Sequence, residues 1–377
     1  MNAAPQQVVA EATSTAEFLA SAAFFCFVFW DFYMPSQGIR PLDIIGAILL
    51  ALGLCSPHVR RQSSASADVF LPILGLLVMG AAVTGAIADD ANIRAAIGIC
   101  AGVVVFVLFS FWPLTTRGVL RVLNAALVAD VLGFWAQFTW YYASGTVLNF
   151  HAVLGGEPRV FAPFFRAAGL YLEPAHFALM SFSLLVLKIY FSERLDSICW
   201  ATIIAMIACL SLWGAVSAAI LLAVWFVRRR RGLLLVSLIL IGVAMAVLIT
   251  GFWQKISVLD RLAHFASDPS AKARYGGLEQ FSATQLWQFA FWFGRGVSLD
   301  YQGMGYNSLS YLFTSVGAMG VAVICGGVVA RSKSGMRFYI LATLSLALTA
   351  AYLWTFMFWW SWLALIGRSD LRPEALA

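Results

Sequence analysis

The stretch AAIGICAGVVVFVLFSFWP, residues 95–113, decides the class of fold. It carries no charged side chain, and about 20 consecutive apolar residues are enough for a helix to cross the hydrocarbon core of a bilayer. We therefore predict a transmembrane helix here. Apolar runs of comparable length recur along the chain, and we predict a further helix in each of them: 15–33, 41–57, 69–88, 119–143, 173–192, 196–212, 213–227, 232–252 and 306–330.

The composition of the whole chain agrees with a membrane protein. Of its 377 residues, 62% are hydrophobic and 11% are charged, which excludes an ordinary soluble domain. The last apolar stretch, 337–367, is too long for one span, so we predict two short helices broken near 351–354. The predicted fold is an all-α, polytopic transmembrane helix bundle of about 12 helices, with about 11 as the alternative. We predict one integral membrane domain over 1–377.

Basic residues indicate which side of the membrane each loop faces. With the N-terminus in the cytoplasm, most arginines and lysines fall in cytoplasmic loops, and so does the basic tail after 367. Both termini are therefore predicted to be cytoplasmic. The two longest loops, 144–172 and 253–305, are predicted to lie on the outer side.

These outer loops carry basic residues on the side of the membrane that the charge rule disfavours. Long loops escape the rule in part, so simple solvent exposure is one explanation. The other is a cationic pocket for phosphate or pyrophosphate, which arginine binds through two parallel hydrogen bonds while staying charged. The residues concerned are Arg159, Arg166, Lys255, Arg261, Lys272, Arg274 and Arg295.

The first loop ends in RAAGLYLEPAH, residues 166–176, at the start of an apolar run. Pro174 suits the first turn of a helix, where its missing N–H costs nothing. Glu173 then stands at the positive helix end, which favours its ionised form. One interpretation is a helix cap beside an interfacial histidine. Because Arg166, Glu173 and His176 cluster at a membrane surface, we favour a functional site.

The second loop carries a similar mixture of polar groups. Its middle, 271–291, has apolar residues at mixed helical spacing, which predicts an amphipathic helix on the membrane surface. Glycines at 294, 296, 303 and 305 suggest tight turns that bring the backbone close to a ligand. The polar candidates for substrate binding or catalysis in this loop are Arg261, His264, Asp268, Arg274 and Tyr275.

Three short runs carry a resemblance to a known family. RAAGLYLEP at 166–174 followed by DPSAKAR at 268–274 resembles the O-antigen polymerase and ligase superfamily. GMGYNS at 303–308, with Gly317 and Gly320 in the next helix, is similar too. Residues 1–143 resemble the family only in being a helix bundle.

The resemblance implies a bacterial inner-membrane glycosyltransferase with two large periplasmic loops. Polymerases of this family move a growing glycan from undecaprenyl diphosphate to the next lipid-linked repeat unit. The leaving diphosphate is stabilised by arginines rather than by a metal, and no other cofactor is expected. The matching positions are Arg166, Arg261 and Arg274. The implied partners are the undecaprenyl-diphosphate-linked oligosaccharide, membrane lipid and a protein that regulates chain length, and no nucleic acid is expected.

The candidate site residues form two sets. The set expected to bind the diphosphate or the glycan is Arg159, Arg166, Arg261, Asp268, Arg274, Tyr275 and Asn307. The set expected to act in catalysis is Glu173, His176, His264 and Tyr306, with no metal site. Ligases of the family carry a histidine where this chain has Tyr306. A tyrosine, with an ordinary pKa of about 10, is a poor base, which favours a polymerase and leaves the identity of the base open.

Two other functions stay open. A ligase would transfer the finished glycan to lipid A–core instead of lengthening it. A transporter of lipid-linked saccharide would place charges within its spans, near the midplane of the membrane. Asp130 falls inside a predicted span, and we interpret it as a buried, hydrogen-bonded structural group rather than a proton relay.

Overall fold

The computed structural model describes residues 4–29, 40–55, 93–112, 114–155, 165–228, 287–294, 308–332, 334–348 and 357–368, together with Phe32, Gly80 and Gly296. Within these residues the secondary structure is entirely helical, which confirms the all-α prediction. Two short 3-10 turns, Ala152–Leu154 and Ser334–Met336, accompany the α-helices. The α-helices are α1 (Ala4–Val28), α2 (Pro41–Leu54), α3 (Ile93–Phe111), α4 (Thr116–Ser144), α5 (Pro174–Ser192), α6 (Ser197–Ala208), α7 (Leu212–Arg228), α8 (Phe289–Phe293), α9 (Ser308–Arg331), α10 (Arg337–Leu348) and α11 (Met357–Gly367).

Most predicted helices coincide with observed ones to within a few residues. The first differs most, because α1 begins at Ala4 and ends at Val28 rather than covering 15–33. The stretch 337–367 holds two helices as predicted, and the predicted break near 351–354 lies outside the described residues. The predicted helices at 69–88, apart from Gly80, and at 232–252 also lie outside them.

α5 is the central helix of the described bundle. Every side chain from Phe177 to Phe191 is buried, and α4, α6, α7, α10 and α11 pack around it. Polar groups on neighbouring helices reach its surface, since Trp362 Nε1 donates to the carbonyl of Ser183 at 3.0 Å and Tyr190 donates to the carbonyl of Ile366 at 3.1 Å. The middle and the last turn of this helix are therefore anchored to α11.

A second set of helices packs through glycine positions. A Cβ atom at Gly53 of α2 would collide with the ring of Trp112, and one at Gly102 of α3 would collide with Trp360 of α11. Small residues at such crossings let helix backbones approach closely, as is common between membrane helices. Arg368, just after α11, donates to the carbonyls of Phe109 and Trp112 at the end of α3, where a cation is favourable.

α9 contains a break that the apolar pattern does not predict. Gly317 has φ of 70° and ψ of −179°, a conformation that is essentially restricted to glycine. The carbonyl of Trp292, in α8, lies where a Cβ at this position would be. The prediction of one continuous helix over 306–330 is therefore wrong at Gly317.

Large apolar side chains lie on outward faces of several helices. On α2, Ile44, Ile48 and Leu52 are 50%, 53% and 56% exposed and recur at every fourth residue along one side. Trp200 and Ile204 make a similar pair on α6. Contiguous apolar surface of this kind marks contact with lipid or with another protein.

Two described helices, α4 and α5, are long and apolar enough to cross a membrane by length and composition. The other apolar helical stretches found among the described residues are 10–17 residues long. This indicates a membrane protein only weakly, because two such helices also occur in the cores of soluble proteins. The number of spans stays a prediction.

Candidate functional site

The segment 165–173, which holds Arg166 and Glu173, runs along α4 from Tyr141 to Asp130 and leads into the start of α5. Residues 165–169 are buried. Phe165 stacks on Tyr141 of α4, with ring centroids 4.1 Å apart and planes at 19°. This part of the first loop is packed against the helices, so solvent exposure does not account for its arginine.

Gln137, on α4, holds both described parts of the first loop. The side chain is 1% exposed. Its amide oxygen accepts the backbone N–H groups of Ala168 and Gly169 at 2.7 and 3.0 Å. Its amide nitrogen donates to the carbonyl of Leu148 at 3.0 Å. Three buried backbone groups that no helix could satisfy are thus paired by one side chain.

The loop touches the α4 backbone at a pair of glycines. Gly169 has φ of 61°, and a Cβ there would lie 2.9 Å from the backbone nitrogen of Phe134. One residue earlier on α4, Gly133 leaves room for the side chain of Leu170. Glycine at 169 is therefore required twice, by its left-handed backbone and by the close approach.

A buried carboxylate joins the loop to two helices. Asp130 of α4 is fully buried. Tyr171 donates to its Oδ1 and Ser181 of α5 donates to its Oδ2, each at 3.2 Å. The interpretation of Asp130 as a buried, hydrogen-bonded group is confirmed, and its partners include the loop that carries Arg166.

Arg166 lies where three elements meet. It is 8% exposed, and its guanidinium interacts electrostatically with Cys209 at the end of α6. The Cys209 sulfur lies 3.9 Å from the carbonyl oxygen of Pro174, the first residue of α5, while its thiol donates to the carbonyl of Met206 at 3.0 Å. A guanidinium has five N–H donors and stays charged. The junction of the loop, α5 and the α6–α7 turn therefore holds a permanent positive charge.

Glu173 and His176 flank the start of α5. Glu173 is the N-cap residue, and its carbonyl accepts the backbone N–H groups of His176 and Phe177 at 3.0 and 3.1 Å. Its side chain makes no capping hydrogen bond to the helix, so capping does not explain why glutamate stands here. Both side chains are half-buried. A carboxylate and an imidazole thus stand where the segment that carries Arg166 enters α5.

The described glycines of the second loop approach protein backbone. Gly294 has φ of 80°, and a Cβ there would collide with the carbonyl of Ser315 in α9. The N–H of Gly296 donates to that same carbonyl at 3.2 Å. The glycine spacing predicts a close approach to a ligand, whereas the observed partner of Gly294 and Gly296 is the α9 backbone beside the break at Gly317. These two glycines therefore dock the loop onto α9.

The remaining candidate site residues lie outside the described residues, so their position relative to Arg166 stays a prediction. In the described part of the chain, no group of three His, Cys, Asp or Glu side chains is placed to hold a metal ion. The candidates outside it are Arg159, Arg261, His264, Asp268, Arg274, Tyr275, Tyr306 and Asn307.

Sequence reasoning missed the residues that support the segment. Gln137 is a polar interruption of the apolar run 119–143, and that interruption is the signal that could have found it. Asp130 was predicted to be buried and hydrogen-bonded, but not to bond to this segment. Tyr171 had no such signal. His151 was also missed; it is 1% exposed and its ring lies 4.4 Å from that of Phe32.

The described arrangement combines a permanent positive charge with two ionisable side chains at the start of α5. Arg166 supplies the charge, and Glu173 and His176 supply groups that exchange protons. A scan of the chain against protein-family models finds no match, and a search of curated proteins finds no significant relative.

Proposed function

We propose that the protein is an inner-membrane polysaccharide polymerase, which transfers a growing glycan from undecaprenyl diphosphate to a lipid-linked repeat unit. The observation that carries the proposal is the placement of Arg166. This arginine is buried, supported by a network from α4, and lies at the start of the central helix with Glu173 and His176. A cation held in this way suits a diphosphate leaving group.

Two features of the fold support the membrane location. The outward faces of α2 and α6 are apolar, as a surface facing lipid would be. In addition, two contacts each join a pair of residues that the charge pattern predicts on the same side of the membrane. Arg368 bonds to Trp112 at the predicted cytoplasmic side, and the ring of Phe32 packs against that of His151 at the predicted outer side.

The proposed reaction is a substitution at the anomeric carbon of the donor glycan. The bond from that carbon to the diphosphate oxygen breaks, and a bond to the acceptor hydroxyl oxygen forms. The hydroxyl proton passes to Glu173 or His176, and undecaprenyl diphosphate leaves with the electron pair. Arg166 stabilises the charge that develops on the diphosphate. We propose that Arg261 and Arg274 of the second loop complete this cationic site.

The test is an electrophoretic profile of lipid-linked and surface glycans from a strain that lacks the protein. A polymerase predicts single repeat units attached to lipid that are never lengthened, and expression of the intact chain should restore long glycans. Long chains that accumulate on undecaprenyl diphosphate would identify a ligase instead. An unchanged profile would overturn both assignments and favour transport of another substrate.

A further inference from the structure

A groove of about 460 Å³ lies between α1 and α4, at the N-terminal end of α4. Its volume falls within the roughly 300–1,000 Å³ of small-ligand sites. Apolar side chains form most of the wall, among them Phe18, Ala22 and Phe25 of α1 and Val122 of α4. Because Phe18 is 69% exposed, the groove is open to the surroundings of the helix bundle.

Two arginines on α4 bring positive charge to this groove, and of the two only Arg121 lines it. Arg121 lines it and is exposed. Arg117, also exposed, lies one turn earlier on the same face of α4. Glu17 lines the groove as well, but its carboxylate accepts both the backbone N–H and the hydroxyl of Thr115, the N-cap of α4. That carboxylate is thus held at the positive end of the helix, and the two arginines outweigh its charge.

We propose that the groove binds an anionic phospholipid, with the phosphate on Arg121 and Arg117 and one acyl chain along the apolar wall. The inference rests on the membrane location proposed above and goes beyond the polymerase reaction. Arginine recognises phosphate through two parallel hydrogen bonds, and basic pockets between membrane helices bind acidic headgroups.

The dimensions and the charge pattern select this occupant. Beyond Arg121 the α4 wall continues through Val122 to Ala125, about 6 Å of helix, which takes part of one acyl chain with the headgroup at the arginines. The N-terminal end of α4 is predicted to be cytoplasmic, so the lipid comes from the cytoplasmic leaflet. A zwitterionic lipid such as phosphatidylcholine also carries a phosphate, but its choline cation cancels that charge and leaves the positive charge of the two arginines uncompensated.

The experiment is native mass spectrometry of the full chain purified in detergent and titrated with phosphatidylglycerol or phosphatidylcholine of matched acyl chains. We expect one phosphatidylglycerol to be retained in preference to phosphatidylcholine. Each arginine near a membrane surface changes the affinity for an anionic lipid about fivefold. The affinity of R117A/R121A for phosphatidylglycerol should therefore fall by up to about 25-fold. Arg194→Ala, which removes an exposed arginine from the α5–α6 turn, is the matched control and should bind as the wild type does.

A second variant tests the apolar wall. Ala22→Trp fills the groove and should weaken binding of both lipids without changing the thermal unfolding midpoint. Equal retention of the two lipids, or wild-type affinity in R117A/R121A, would overturn the proposal. A change of oligomeric state in Ala22→Trp would overturn it in favour of a second copy of the chain in the groove. None of these outcomes alters the glycan profile of the deletion strain, so the polymerase proposal is tested separately.

Discussion

The side-chain oxygen of Gln137 accepts the backbone N–H of Ala168 at 2.7 Å, two residues beyond Arg166. The amide nitrogen of the same side chain donates to Leu148, near the other end of the first loop. One buried glutamine thus ties both described parts of this loop to α4. Such support holds a charged group in place, and a fixed charge is more effective than a mobile one in stabilising a transition state.

Replacing Gln137 by leucine is expected to loosen the loop and reduce glycan polymerisation. The substitution leaves two N–H groups and one carbonyl buried without their partner, and each such group costs about 1–3 kcal/mol. Hydrogen–deuterium exchange should therefore rise at 147–149 and at 165–170.

Two further variants sharpen that measurement. In Gln137→Glu, an ionised carboxylate still accepts the N–H groups of Ala168 and Gly169 but cannot donate to the carbonyl of Leu148. Hydrogen–deuterium exchange should therefore rise at 147–149 alone. Thr139→Ala is the control, because within the described residues the Thr139 hydroxyl bonds to carbonyls of its own helix. Unchanged exchange in the leucine variant would contradict the role of Gln137.

Gly169→Ala is expected to destabilise the protein more than Gly145→Ala. Both glycines have left-handed backbones, with φ of 61° and 72°, and alanine in that conformation costs about 1–2 kcal/mol. At position 169 the added Cβ would also lie against the backbone of Phe134, whereas a Cβ at Gly145 would have nothing within 4 Å. Thermal unfolding in detergent measures the difference. An equal decrease of the unfolding midpoint in the two variants would show that the approach of residue 169 to Phe134 is not tight.

Arg166→Ala is expected to abolish polymerisation while leaving the protein in the membrane. Loss of one preorganised donor to a developing anion typically costs about 10²–10³ in rate. Arg166→Lys should recover only part of the activity, because an ammonium lacks the two-pronged geometry of guanidinium. The readout is the glycan ladder at matched expression, with Arg194→Ala as the control. Normal chain length in Arg166→Ala would remove the basis of the functional assignment.

Acid is expected to weaken the contact between α5 and α6. Lys188, with a side chain 2% exposed, bridges to Asp196 at 2.6 Å. Partial burial opposes ionisation, but hydrogen bonds from Lys188 and from the Cys199 N–H lower the pKa of Asp196 below its ordinary value. The pair therefore contributes stability above the unfolded pKa of about 3.9, and loses it as pH falls through the lower folded pKa.

This contact can be isolated by a double-mutant cycle. D196N leaves the Lys188 ammonium buried without its anion and should lower the unfolding midpoint at neutral pH. In acid the gap between D196N and the wild type should shrink. If the effects of K188M and D196N on stability simply add, the two residues are not coupled.

The helices were predictable because each is a property of a continuous stretch. The apolar runs that become α3, α4 and α5 are legible without any tertiary contact, and Pro174 marks the start of α5 in both sequence and structure. The break in α9 was not predictable. It depends on the carbonyl of Trp292 meeting Gly317, and these two residues are brought together only by the packing of α8 on α9.

The sequence alone determined that the chain is helical and that Arg166, Glu173 and His176 gather at the start of one helix. Both properties depend on composition and spacing over short distances. Only the tertiary structure decided that Arg166 is buried and that Gln137, Asp130 and Tyr171 support its segment. Those hydrogen bonds join residues 31–51 positions apart. Contacts at that separation form because buried polar groups must find partners wherever the fold supplies them.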